Sequence, residues 1–220
     1  MRSDFYRVIA IDGPAASGKS SVARELARHL GFVYVNSGAM YRAITWHVLE
    51  NGIAPGDIEQ IVKLVENASI TSLIENKQSR IMINGVDPSE HLREDRVNNS
   101  VSPVSTVPRV RQILDEQMHD YARAHDLVVE GRDIGSVVFP NTPYKFYIDA
   151  SPEVRLRRRA AEGQRDEIAA RDRADSSRPS APLIIAEDAL VVDSSHLTID
   201  GVVGEIVGRL KLKGLNLPGS

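Results

Sequence analysis

The stretch from Ile11 to Ser21, IDGPAASGKSS, closes a short apolar run and opens an amphipathic one. Residues Gly13-Pro14-Ala15-Ala16-Ser17-Gly18-Lys19-Ser20 fit G-x-x-x-x-G-K-[ST] in full. Chance supplies that pattern on the order of once in a hundred chains of this length. Its setting also fits, with a strand before it and a helix after it, so backbone N–H groups of the loop and the helix start converge on phosphate oxygens. The glycines are required because a Cβ would block that approach or forbid the turn. Lys19 then reaches the β- and γ-phosphates, and the Ser20 hydroxyl is an oxygen ligand for Mg²⁺. The loop, with Ser21 behind it, is the expected site for the triphosphate of ATP or GTP.

The remaining pattern predicts an α/β fold. Apolar runs at Tyr6 to Ile11, Phe32 to Val35, Leu127 to Val129, Tyr144 to Ile148 and Leu190 to Val192 are bounded by turn residues. They are separated by helix-length segments, as in a parallel sheet buried on both faces. Apolar spacing of i, i+3, i+4 predicts helices over Ser20–Leu30, Ala39–Leu49, Val107–Ala124, Pro152–Ala161 and Val202–Leu212. Between Asp57 and Val97 the alternation breaks: a helix from Ile58 to Glu66 precedes ITSLI and RIMIN, joined by the polar Glu75 to Ser79. This reads as a hairpin-bearing insertion. A second polar excursion, Arg155 to Pro182, carries eight arginines and few large apolar residues, and is expected to form a mobile cover.

Length and charge exclude several classes. The 220 residues suit one folding unit, and a formal net charge of -3 argues against coating nucleic acid or an anionic membrane. With no cysteine there is no disulfide framework, thiolate metal site or cysteine nucleophile, which fits a reducing, cytoplasmic setting. The N-terminal apolar run is too short for a secretory segment, and nowhere do eighteen apolar residues run together. A GTPase switch would need D-x-x-G and N-K-x-D, and the chain contains neither. None of the six histidines forms H-E-x-x-H. The arginine-rich excursion has no aromatic residue, which disfavours single-stranded RNA as its partner.

Three further constellations carry chemistry. Asn36 to Ala43, NSGAMYRA, follows the second predicted strand and puts Ser37, Tyr41 and Arg42 at the head of a helix. That suits an acceptor phosphate clamped by Arg42, although Ser37 would serve equally as a plain N-cap. Gly131-Arg132-Asp133 places a cation and an acceptor at the carboxyl end of the sheet, where α/β ligand crevices lie, yet the same tripeptide is common in surface turns. Arg155, Arg157, Arg158 and Arg159 form a cationic cluster that is partly explained by helix pairs of Glu153 with Arg157 and Glu162 with Arg158. Arg171, Asp175 and Arg178 recur at i, i+4 and i+7, on one helical face. That face and part of the cluster read as a lid that neutralises charge on a triphosphate.

The chain resembles the bacterial cytidylate kinases through GPAASGKSS, SGAMYRA, VPRVR (Val107 to Arg111), EGRDIGSVVFP (Glu130 to Pro140), KFYIDAS (Lys145 to Ser151), RDRADSSR (Arg171 to Arg178), APL and AEDALVVDSS (Ala186 to Ser195). The resemblance implies a P-loop nucleoside monophosphate kinase fold: a five-stranded parallel sheet flanked by helices, an NMP-binding insertion and a short lid. The expected layout is one kinase domain with core 1–56, 98–154 and 183–213, insertion about 57–97 and lid about 155–182. The resemblance further implies transfer of phosphate from ATP, with Mg²⁺, to CMP and dCMP in pyrimidine nucleotide metabolism, by a cytoplasmic monomer without nucleic-acid or membrane partners.

By the same likeness Lys19, Arg132, Arg158 and Arg171 are catalytic, and Ser20 ligates the metal. Ser37, Tyr41, Arg42, Ser102, Arg111, Gly131, Arg132, Asp133, Asp175 and Arg178 bind CMP. Asp133, Arg111 and Ser102 read the base, Arg42 and Arg132 hold the acceptor phosphate, and Asp175 takes the ribose hydroxyls. Asn36 stands where relatives often have Asp, which leaves Glu130 as the candidate for an outer hold on Mg²⁺. The interval from Arg159 to Arg171 is about ten residues shorter than the family's usual form. The rival readings are a P-loop kinase of UMP, AMP or shikimate, and a module that senses nucleotide without turnover.

Overall fold

The computed structural model describes residues 6–161, 172–173, 175–178 and 181–215. Its elements run β1 (Val8–Asp12), α1 (Lys19–Leu30), β2 (Val33–Asn36), α2 (Ser37–Glu50), α3 (Ile58–Asn67), β3 (Ile70–Glu75), β4 (Gln78–Ile83), α4 (Asp95–Val104), α5 (Pro108–Ala124), β5 (Leu127–Gly131), a π-helical turn (Ile134–Val138), β6 (Tyr144–Asp149), α6 (Pro152–Ala161), β7 (Leu190–Asp193) and α7 (Ile199–Leu212). The chain divides into two units, Met1–Val35 with Ala122–Ser220, and Asn36–Tyr121.

In the first unit the strands lie in the order β2-β5-β1-β6-β7. The pairings β5–β1, β1–β6 and β6–β7 are parallel, with Ile9 opposite Val128 and Tyr144. Every residue of β1 and β5 is buried, as a sheet covered on both faces requires, and that is why these strands read as continuous apolar runs. The predicted α/β class and parallel core are present, but the expected count of five strands is exceeded: there are seven among the described residues, because β3 and β4 form an additional antiparallel pair. Parallel pairing also fixes where the strand ends fall: Asp12 lies opposite Gly131 and Tyr147, and Asp149 opposite Asp193, all at one carboxyl edge.

Helix α1 buries Val22, Ala23, Leu26, Ala27 and Leu30, the stripe that a 3.6-residue repeat puts on one face. They share a cluster with Ile9, Ile11 and Phe146 of the sheet and Ile206 and Leu210 of α7. Each such leucine or isoleucine contributes about 1.5–3 kcal/mol of transfer free energy. Gly31 stops α1 in the left-handed region, φ 70°, and the Phe32 N–H returns to the Ala27 carbonyl at 3.0 Å.

The second unit contains α2 to α5 and the antiparallel pair β3–β4. Burial alternates along β3, so one face is solvated, unlike the core strands. The joint is tighter than the expected Glu75 to Ser79: Glu75 already pairs with Gln78, leaving Asn76 and Lys77 as a two-residue turn. Both have positive φ, 50° and 58°, the backbone that matches strand twist in such turns. Helix α4 was not foreseen, because Pro103 and its polar neighbours oppose a helix. Val97, Val101 and Val104 at i, i+4 and i+7 are buried, and α4 packs on α2, so packing overrides local preference. No helix among the described residues is long and apolar enough to cross a membrane.

Candidate active site

The glycine-rich loop joins β1 to α1 in the first unit. A Cβ on Gly13 would fall 2.2 Å from the Ile148 carbonyl oxygen, so only glycine lets the loop leave β1 against β6. Ala16 (φ 58°) and Gly18 (φ 88°) both take left-handed backbone. Alternate carbonyls are held by arginines: Arg132 Nη1 donates to Gly13 O at 3.0 Å, Arg155 Nη1 to Ala15 O at 3.2 Å, and Arg158 Nη1 to Ser17 O at 3.0 Å. Carbonyls turned toward guanidinium groups do not face an anion, as a phosphate cradle needs; Pro14 has no N–H to offer it, and that of Ala15 is committed elsewhere. Ser194, which the sequence reading did not single out, donates its hydroxyl to Ser17 O at 2.8 Å and receives Arg158 at 3.0 Å. Its only sequence signal was its place in the run AEDALVVDSS.

Lys19 is buried with Nζ donating to Pro14 O at 3.0 Å, curled back across the loop. The Ala15 N–H donates to Asp172 Oδ1 at 3.0 Å, and Asp172 also pairs with Arg155. Arg158, expected on the triphosphate, also donates from Nη2 to Ser194 O at 2.7 Å, and burial lowers its pKa. Glu153, expected to pair with Arg157, instead receives a hydrogen bond from the Ser151 hydroxyl. Glu162 and Arg171 lie outside the described residues, as does much of the expected lid.

At the carboxyl edge, β5 ends at Gly131 and the chain turns through Arg132 and Asp133. Arg132 Nε donates to Asp175 Oδ2 at 2.8 Å, and Arg178 pairs with the other Asp175 oxygen. The structure therefore gathers Gly13, Arg132, Asp175 and Arg178, which the sequence separates widely. Beyond Asp133, Val138 N–H reaches Asp133 O and Phe139 N–H reaches Ile134 O, both five residues back. Such π-turns concentrate at functional sites. Glu130 is buried and accepts from the Tyr34 hydroxyl at 2.8 Å.

In the second unit, Asn36 rather than Ser37 caps α2, its Oδ1 accepting from Ala39 N–H at 2.8 Å. The carboxamide at this position serves the helix start, a role that needs an acceptor and no charge. A Cβ on Gly38 would come within 3.2 Å of Arg42 Nη1, so the glycine makes room for that guanidinium along the first turn. Arg111 is buried, lies 5.5 Å over the Tyr41 ring and donates to Ser105 O at 3.3 Å. Ser102 sits in α4, where its carbonyl accepts from the Ser105 hydroxyl at 2.7 Å.

The donor chemistry suits a hard divalent cation held mostly by substrate. Ser20 brings one hydroxyl to the first turn of α1, and among the described residues no three His, Cys, Asp or Glu cluster as a metal cage. Mg²⁺ with nucleotides is bound in that way, by few protein oxygens together with water and phosphate. Ser17 Oγ is buried with no hydrogen-bond partner, a polar demand beneath the same loop.

A Walker loop at the carboxyl edge of a parallel sheet, ringed by arginines, defines a P-loop phosphotransferase. The comparisons narrow this class. The family model for cytidylate kinase matches residues 9–212, and the chain belongs to that family. Curated cytidylate kinases align at 40% identity from Desulforamulus reducens (92% of this chain, 96% of the relative) and at 42% from Caldanaerobacter subterraneus subsp. tengcongensis (92% and 94%). A cytidylate kinase of Clostridium botulinum is 39% identical over 92% of this chain and 97% of its own. The chain is therefore a transferase, a nucleoside monophosphate kinase, as its motifs implied.

Proposed function

We propose that this kinase transfers the γ-phosphoryl group of ATP to CMP and dCMP, forming CDP and dCDP in pyrimidine nucleotide metabolism. The observation that carries the reading is Arg132, which joins the triphosphate loop, through Gly13 O, to the acceptor-side carboxylate Asp175. A monophosphate has its second pKa near 6, about that of phosphorylated side chains, so its oxygen is anionic at pH 7 and needs no general base. That oxygen forms the new bond to the γ-phosphorus in line, and the bond to the β–γ bridging oxygen breaks with ADP taking the charge. Lys19, Arg158 and Arg171 neutralise the transferring group, and the loop amides orient it. Mg²⁺ would supply further neutralisation of the phosphate oxygens, with Ser20 as its protein ligand.

On the acceptor side, Asp133 accepts from the cytosine exocyclic amine, whereas the O4 of uracil would meet it acceptor to acceptor. Arg111 and Ser102 contact the remaining base edge, Arg42 and Arg132 the phosphate, and Asp175 with Arg178 the ribose, while Ser37, Tyr41 and Gly131 shape the site. The reading takes the enzyme to be a cytoplasmic monomer, which size-exclusion chromatography with light scattering would check for assembly.

The test is ADP release by the purified protein with CMP, dCMP, UMP, AMP and shikimate. CMP and dCMP should be turned over well ahead of the others. Equal rates on all five would refute base reading by Asp133, and ATP binding without ADP release would refute the transfer itself.

A further inference from the structure

Asp12 touches neither nucleotide in the proposed reaction, yet it is buried at the end of β1, one residue before the phosphate loop. An acidic residue at the start of a helical turn ordinarily folds its own side chain onto N–H groups two or three residues ahead. Asp133 occupies that position for the π-turn and makes no such capping bond. The turn's first two N–H groups go to Asp12 instead: Ile134 N–H to Oδ1 at 2.9 Å and Gly135 N–H to Oδ2 at 2.8 Å. Both carboxylate oxygens are thereby fixed, on a strand residue that is itself held opposite Gly131 and Tyr147. A Cβ on Gly135 would sit 3.2 Å from Lys145 Cγ and Cδ but at an ordinary 3.4 Å from Asp12 Oδ2, so the glycine makes room for the Lys145 stem beside this bond.

We infer that Asp12 is a positioning residue for base selection: it takes over the cap of the π-turn from Asp133 and so sets where the Asp133 carboxylate points. The inference rests on the reading that Asp133 accepts from cytosine. It also ties the acceptor base to the strand that carries the phosphate loop, since one side chain spans the two.

The charges facing Asp12 come from several elements. Lys19 of α1 attracts it and Asp133 repels it. Lys145 of β6 packs its stem nearby but commits Nζ to Pro140 O and Asp188 Oδ1. Glu130 of β5 carries its own bond from Tyr34. Burial outweighs the two backbone bonds and raises the Asp12 carboxyl to about 6. A protonated carboxyl offers one acceptor and one O–H, so below that pH one of the two N–H groups loses its partner and the turn loses its cap.

The experiment is the ratio of kcat/KM for CMP to that for UMP between pH 5 and 8, in which titration of the shared phosphate cancels. Expected is a wild-type ratio that falls about tenfold from pH 8 to pH 5, and an Asp12→Asn ratio about tenfold below wild type at pH 8 and flat with pH. A wild-type ratio that does not change with pH would overturn the inference, and this arm stands even if Asp12→Asn fails to fold. Asp133→Ala separates the two levels. If it leaves the ratio intact, base reading by Asp133 is wrong and this inference goes with it. If Asp133→Ala collapses the ratio while Asp12→Asn matches wild type at every pH, only the present inference fails. A merely structural Asp12 would lower Tm in Asp12→Asn and leave the ratio unmoved.

Discussion

Arg158 Nη1 lies 3.0 Å from the Ser17 carbonyl oxygen, so a residue of α6 holds the backbone of the loop that should cradle phosphate. Its second nitrogen meets Ser194 O. Arg158→Met should raise KM for ATP about tenfold, the cost of leaving carbonyls short of a charged donor, and should lower kcat as well, since the transferring group loses a neutralising charge. Arg158→Lys should not restore it, because one ammonium cannot span both carbonyls in the guanidinium's fixed geometry. Initial rates at saturating CMP would check both.

Arg132→Met removes a cation that pairs with Asp175 alongside Arg178, and the Asp175 side chain is only 3% exposed. Stability should drop by about 1–3 kcal/mol in urea denaturation. Turnover with CMP should fall on the order of a hundredfold beyond that, since the acceptor phosphate loses a clamp. If stability falls while kcat/KM for CMP holds, Arg132 is a scaffold residue and not part of the machinery.

Lys19→Met replaces a buried ammonium by a side chain of similar length. Folding should survive, because the loop's other anchors, Arg155 and Arg158, are untouched. The expected loss is about 10²–10³-fold in kcat, the scale for removing one preorganised charge-stabilising donor. Circular dichroism alongside single-turnover rates would distinguish lost chemistry from lost fold.

Gly13→Ala pushes a methyl group against the Ile148 carbonyl, a backbone atom that cannot swing away. The cost should be at least about 2 kcal/mol from overpacking and backbone strain together, read as a fall in Tm. Gly52→Ala is the contrast: φ is +68°, but nothing lies within 4 Å of the added carbon. It should cost only the strain of the left-handed backbone, about 1 kcal/mol.

Arg7 and Asp126 supply a pH test remote from the site. Arg7 Nη2 meets Asp126 Oδ2 at 2.6 Å and its backbone N–H meets Oδ1 at 2.8 Å. Burial works to raise the Asp126 pKa, but the Arg7 hydrogen bonds outweigh it and leave the net shift downward. A carboxylate depressed in the folded state stabilises above its unfolded pKa and loses that contribution as pH falls through the folded one. Arg7→Met should therefore cost about 1 kcal/mol at pH 7, modest because the arginine is 39% exposed, and the gap to wild type should close toward pH 2. Denaturant titrations across that range decide it.

The parallel core could be read from the sequence because fully buried strands carry runs such as VIAI with no polar residue, and α1 and α7 keep a clear helical stripe. Helix α4 was hidden because its evidence is three valines whose meaning depends on α2 being there to cover them. The Asn36 cap was hidden by its neighbour, since Asn and Ser are equally good caps and only the backbone decides which one sits outside the helix.

Within the site, the sequence by itself determined the phosphate loop. Glycine freedom, the lysine and the hydroxyl are properties of eight adjacent residues, Gly13 to Ser20, and need no partner to be recognised. Only the tertiary structure decided that Arg132, Arg155 and Arg158 turn that loop's carbonyls outward and that Asp12 caps the turn after Asp133. These contacts join residues 119 to 141 positions apart. No local spacing encodes such contacts, because they exist only once the parallel register has brought Asp12 beside Gly131 and the strand ends share one edge.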